Sequence, residues 1–141
     1  MTVRAVLHRC PGRHRRERET GQVHIALTAV TVLYGGVFVV SGTGQLAGRG
    51  PLRTPAAACG FSPAACQGIG ALELLGGAGL LTAGYLTVAG AVAAAGLFLL
   101  TAAAFLYHDG QEDRGLRLWA PAVTAAVMLC VAVALPLTGV G

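Results

Sequence analysis

The chain contains no lysine and no asparagine, and only 11% of its 141 residues are charged. A water-soluble domain of this size carries about 25% charged residues, so water is excluded as its main solvent. Aromatic residues are also scarce, at 6%. A basic chain without aromatic interleaving and without a recognisable nucleic-acid fold does not read as a nucleic-acid binder, despite a pI near 9.2. No CxxC pair, metal-ligand cluster, nucleophile elbow or phosphate-cradling glycine loop is present. What remains is apolar: 55% of residues are hydrophobic and the mean hydropathy is +0.67. The Ala/Gly/Arg-rich vocabulary suggests a GC-rich bacterial genome.

The few charges are segregated. Six of the ten basic residues, Arg4, Arg9, Arg13, Arg15, Arg16 and Arg18, precede residue 19. Beside an apolar segment, such a tail reads as topology control and attraction to anionic headgroups. Arg15-Arg16 lacks the apolar pair that would follow in a twin-arginine signal. The first apolar stretch, Val23 to Ala47, is longer than the roughly 7–15 residues of a signal-peptide core. It reads as a retained first helix. Residues 1–22 lack apolar periodicity and are expected to form a basic, disordered cytoplasmic tail.

A spanning helix needs about 20 predominantly apolar residues. His24 to Ala47 meets that, and Gly48-Arg49-Gly50-Pro51 stops it. Ser62 and Pro63 then form an N-cap and first-turn pair. From Ala64 to Tyr107 only Glu73 is charged. That stretch is too long for one span and should fold back near Gly84-Tyr85-Leu86-Thr87. A polar hairpin from His108 to Arg114 precedes the last apolar run. The expectation is an all-α, four-transmembrane-helix bundle over residues 23–141, with helices near 24–47, 64–84, 87–107 and 116–137. Pro121 falls near the start of the fourth, where its missing N–H costs little. The arginine-rich tail predicts a cytoplasmic N-terminus, and an even number of spans returns the C-terminus to the same side. The implied location is a cell inner or plasma membrane. Tyr107 and Trp119 would then sit at the outer interface.

Glu73 is the candidate catalytic or structural residue, because a carboxylate at mid-bilayer costs at least about 2.5–3.5 kcal/mol. A neutral, hydrogen-bonding acid is expected there. Helical spacing places Cys66, Gly70, Glu73, Gly77, Leu80 and Gly84 on one stripe, where small residues admit another helix. Three readings stay open: a packing hydrogen bond, a proton-relay or ligand contact, and an oligomer contact. On helix one, Tyr34, Ser41 and Gln45 recur at helical spacing. With outer ends aligned, Ser41 is expected nearer the depth of Glu73 than Gln45, which lies nearer the surface with His108. These five residues outline a site that would open outward, with His108 alternatively a solvated interfacial residue. Haem ligation is not expected, because His24 and His108 fall at opposite membrane faces. Cys59 and Cys66 are either a disulfide near the outer face or two unpaired small residues. Cys10 and Cys130 read as tail and packing residues. A transport path would need more polar residues than Thr82 in the inner half of helix two.

These segments resemble a known family. Ser41-Gly42-Thr43-Gly44-Gln45-Leu46 is similar to the SG-x-x-K-L pattern of the DoxX-like membrane proteins. Gly68-Ile69-Gly70-Ala71-Leu72-Glu73-Leu74-Leu75-Gly76-Gly77-Ala78-Gly79-Leu80-Leu81 resembles their G-x-x-E-L-L-G-G-x-G-L-L signature, and Ala104-Phe105-Leu106-Tyr107-His108 their aromatic-His helix end. The likeness covers about residues 25–138. It implies a four-helix membrane bundle linked to respiratory or sulfur redox chemistry: a quinone-contacting subunit, or the membrane partner of a redox enzyme. A non-enzymatic scaffold for partner proteins, or a homo-oligomer, is the alternative. Gln45 stands where the pattern has lysine, so the Lys–Glu pair that the pattern permits is absent. A related class, the methylamine-utilisation membrane proteins, would by analogy give Cys59 and Cys66 a thiol–disulfide role.

Overall fold

A computed structural model describes residues 12–47 and 61–138. Four helices follow one another: α1 (Gly12–Ala47), α2 (Pro63–Leu81), α3 (Thr87–Gly110) and α4 (Leu116–Thr138). Among the described residues there is no strand. All four helices are long and apolar enough to cross a membrane, the apolar part of α1 being Thr20–Ala47. The expected all-α, four-span architecture is therefore present.

The helix ends follow from local chemistry. Ser62 caps α2 by accepting from the Ala65 N–H at 3.2 Å, with Pro63 in the first turn, where its absent N–H leaves nothing unpaired. Thr82 ends α2, its carbonyl accepting from the N–H groups of Tyr85 and Leu86 at 2.9 Å. The helix thus stops three residues before the expected Gly84. α3 overruns its expected end and takes in His108, Asp109 and Gly110. Glu112 follows in the left-handed region (φ 57°), its N–H bonded to the Asp109 carbonyl while the Asp113 N–H bonds that of His108. This is a Schellman closure with glutamate where glycine is usual.

The largest departure is at the start. α1 is 36 residues long, and residues 12–22, expected as part of a disordered tail, are helical. Arginine and glutamate are good helix formers, so the basic segment can extend the helix that the apolar residues establish. Residues 1–11 lie outside the described part.

Between helices in lipid there is little hydrophobic driving force, so close packing and hydrogen bonds must hold the bundle. The α1–α2 pair is antiparallel and zipped by glycine. A Cβ on Gly77 would stand 2.8 Å from the Gly35 carbonyl oxygen, and one on Gly42 would collide with the Gly70 carbonyl. Gly35 and Gly42, like Gly70 and Gly77, are seven residues apart, so two turns separate the contacts and fix the register. α2 meets α3 at Gly76 against Leu97 and at Gly79 against Ala93. α3 and α4 form the second tightly packed pair. The small core runs through Phe38, Leu80, Ala94, Leu97, Met128 and Leu135. Large side chains such as Leu33, Leu75, Leu99 and Val133 are exposed on the outside, as lipid contact requires.

Candidate functional site

Glu73 sits in the middle of α2, one turn from Gly70 and Gly77. The glycine crossings bring the α1 backbone close enough for side chains from two consecutive turns to reach it. Gln45 donates from Nε2 to Glu73 Oε2 at 2.7 Å, and the Ser41 side chain lies beside the carboxyl. Ser41 and Gln45 are four residues apart, hence on one face of α1. The backbone of Gln45 lies at the level of Gly70, one turn nearer the α1–α2 connection than Glu73, while Gly42 beside Ser41 lies against Leu74; the Gln45 side chain reaches inward to become the direct partner of Glu73, which the sequence did not foretell. The stem of Gln45 lies against Gly70, where an added Cβ would stand 2.6 Å from the Gln45 Cβ.

The site has one unpaired atom. Gln45 Oε1 is buried and has no hydrogen-bond partner among the described residues. A buried acceptor left without a donor costs about 1–3 kcal/mol. A neutral Glu73 would resolve this, because its O–H could donate to Gln45 Oε1 while its other oxygen accepts from Nε2. That arrangement is a cyclic acid–amide pair. It is a charge-free equivalent of the ion pair that lysine at position 45 would make.

The other expected members of the site lie elsewhere. Tyr34 packs beside Phe38 (ring centroids 6.5 Å apart) against the core. It is seven residues from Ser41, about 10 Å along α1. His108 closes a different cluster at the far end of α3. Its Nδ1 donates to Asp113 Oδ2 at 2.7 Å. Neighbouring Tyr107 packs against Phe61, just ahead of α2, with ring centroids 4.9 Å apart and the rings tilted by 41°. Phe61 precedes Glu73 by about three helical turns, so the outward site expected to combine Glu73 and His108 is divided in two. Sequence reasoning placed Asp113 in a polar hairpin without linking it to His108. The signal was an acid five residues beyond a histidine at a helix end. Cys66 is a free thiol in the first turn of α2, and Cys59 lies outside the described residues. Among those residues, no group of three metal-ligating side chains occurs.

Glu73 lines neither of two recesses found on the described surface. A groove of about 890 Å³ runs between α2 and α3, floored by Gly76, Gly79 and Gly96 and walled by leucine and valine. A crevice of about 400 Å³ lies between Leu27, Thr28 and Thr31 of α1, the Ala83–Tyr85 turn, and Leu135 of α4.

No curated protein and no solved structure gives a significant match to the chain. The sequence profile of the DoxX-like family matches residues 29–135. That interval takes in the glycine crossings, the Ser41–Gln45–Glu73 site, the His108–Asp113 closure and nearly all of α4. Four apolar spans and a match over most of its length make this chain a multi-pass membrane protein of the DoxX-like family.

Proposed function

We propose that the chain is a small accessory subunit of a membrane redox complex, quinone- or sulfur-linked, with no catalytic step of its own. One observation carries this reading: an acid, an amide and a hydroxyl gathered between α1 and α2, with the Gln45 Oε1 acceptor left over. Intramembrane ionisable residues are expensive and are retained by default for function. While Glu73 is ionised it cannot donate to that acceptor, which then offers a place for an O–H group, as on a reduced quinone. The redox setting itself comes from the resemblance to named DoxX-like relatives.

The test uses the full chain in nanodiscs and a short-chain quinol analogue in equilibrium dialysis, alongside complementation of a deletion strain. Saturable binding that falls at least tenfold in Glu73→Gln, with loss of complementation, supports the reading. Absence of binding together with full complementation by Glu73→Gln overturns it.

A second reading has its own support. Glycine contacts close tightly around Glu73, and it lines neither the α2–α3 groove nor the crevice beside α1. In a non-enzymatic scaffold the acid would serve only to lock α1 to α2. Stoichiometric co-purification of partner proteins, with Glu73→Gln tolerated, would favour that reading.

A further inference from the structure

The site between α1 and α2 has two proton states, and only one of them leaves an acceptor free. With Glu73 neutral, its O–H can donate to Gln45 Oε1 while its other oxygen accepts from Nε2, and both ends of the amide are paired. With Glu73 ionised, Nε2 still donates to Oε2 at 2.7 Å, but Gln45 Oε1 stays buried without a donor among the described residues. Apart from the Ser41 hydroxyl beside the carboxyl, the groups left to meet a ligand are then all acceptors, the carboxylate and amide oxygens.

Among the described spans, Glu73 alone can switch the site between these states. On α1 the titratable side chains of the apolar span are His24 and Tyr34, about six and three turns from Gln45. On α2 there is Cys66, about two turns toward the helix start. Helix α3 meets α2 at Gly76 and Gly79, and its titratable groups Tyr107, His108 and Asp109 gather at its far end. Helix α4 carries Arg117 at its start and Cys130 further on. The three site residues are half-buried rather than enclosed, and Gln45 lies on the side nearer the α1–α2 connection.

We propose that this site takes the reduced, hydroxyl-bearing form of its ligand in exchange for the Glu73 proton. The proposal rests on the redox-subunit reading above and names which form of the ligand is bound and what controls it. The ligand's O–H donates to Gln45 Oε1, which a rotation of the Gln45 side chain presents toward the α1–α2 connection. The exchange balances, because the ligand keeps its O–H and the proton released to water is that of Glu73. An oxidised quinone offers only carbonyl oxygens. These would face carboxylate and amide oxygens with no hydrogen between them, and the acceptor would stay unpaired. Proton and ligand therefore weaken each other's binding by one common factor. Relief of a single unpaired acceptor sets that factor at about 5–150-fold. Lower pH weakens ligand binding, and higher pH strengthens it until Glu73 is fully ionised.

The experiment uses the full chain in nanodiscs, without oxygen, in equilibrium dialysis at graded pH. Three probes of one shape are compared: a short-chain quinol, its dimethyl ether, which lacks the O–H, and its oxidised quinone. The quinol should bind about tenfold or more tightly than either of the others. Its affinity should rise about fivefold or more from the acid to the alkaline end. A pH-indicator dye should report up to about one proton released per quinol bound at the acid end, and none at the alkaline end. Glu73→Gln has no proton to exchange, so its weaker binding should be independent of pH. Gln45→Met keeps a stem of similar length and should lose most of the preference for quinol over ether, with the helical circular dichroism unchanged. Failure of all three probes to bind at any pH overturns the proposal together with the reading it rests on. Equal binding of the three, or quinol affinity that is the same at every pH, overturns the proposal and leaves that reading standing. A folded Gln45→Met protein that keeps the full preference also overturns it.

Discussion

Position 45 decides what kind of partner Glu73 has. Lysine there would supply an ammonium, whereas Gln45 supplies an amide whose Nε2 donates to the carboxyl at 2.7 Å. An amide can pair with a neutral acid or with another amide, but not with an apolar side chain. Glu73→Gln should therefore keep the interhelical pair and alter unfolding free energy by less than about 1 kcal/mol. Glu73→Leu should leave both polar ends of Gln45 unpaired and cost about 1–3 kcal/mol. Reversible detergent-induced unfolding of the two variants distinguishes these outcomes. If Glu73→Leu is as stable as Glu73→Gln, the hydrogen bond does not hold α1 to α2. A second residue-scale prediction concerns Glu112, whose φ of 57° costs a side-chain-bearing residue roughly 1–2 kcal/mol. Glu112→Gly should stabilise the α3–α4 hairpin by up to about 1 kcal/mol, read as a raised melting temperature.

At the scale of elements, the glycines divide into two kinds. Gly42 and Gly70 face each other across an interface, whereas Gly36 and Gly96 have open space where a Cβ would stand. Gly42→Ala should wedge α1 from α2 and destabilise by about 1–3 kcal/mol. Gly36→Ala should be neutral or stabilising by up to about 1 kcal/mol, because alanine is the better helix former. Thermal unfolding of the pair in detergent tests the assignment, and equal effects would contradict it. The same elements show what the sequence could and could not disclose. The spans were legible because hydropathy reports directly on lipid contact, and Ser62-Pro63 marked a helix start because capping is local. The length of α1 was not, since hydropathy is silent where a helix leaves the bilayer. The Gln45–Glu73 pair was missed because depth was read from backbone position, whereas a long amide side chain reaches about one turn beyond its own Cα. The matched seven-residue glycine spacing fixes the register of α1 on α2, and that signal becomes readable only once the two helices are paired antiparallel. His108–Asp113 escaped for a related reason, because the bond depends on α3 running on to Gly110.

At the scale of the whole molecule, four spans place both termini on one side of the membrane and the α1–α2 and α3–α4 connections on the other. We propose that the termini are cytoplasmic, from the distribution of arginine. Six arginines precede residue 19, whereas Arg49 and Arg53 are in the α1–α2 connection and Arg114 and Arg117 border the α3–α4 hairpin. The bias is therefore strong at the first helix and opposed weakly by each outer connection. Single-cysteine labelling on a cysteine-free background measures the outcome. An impermeant maleimide applied to intact cells should modify Gln111→Cys, in the hairpin, and spare Gln22→Cys, near the start of α1. The reverse pattern would put the termini outside. Because two arginines remain at each outer connection and none would remain at the termini, replacing the six tail arginines with glutamine should reverse the bias rather than merely weaken it. Gln22→Cys should then become labelled and Gln111→Cys spared. A tail variant that keeps the wild-type pattern would show that orientation is set by the helices themselves. In that case the role left for the arginines is at the headgroups beside α1.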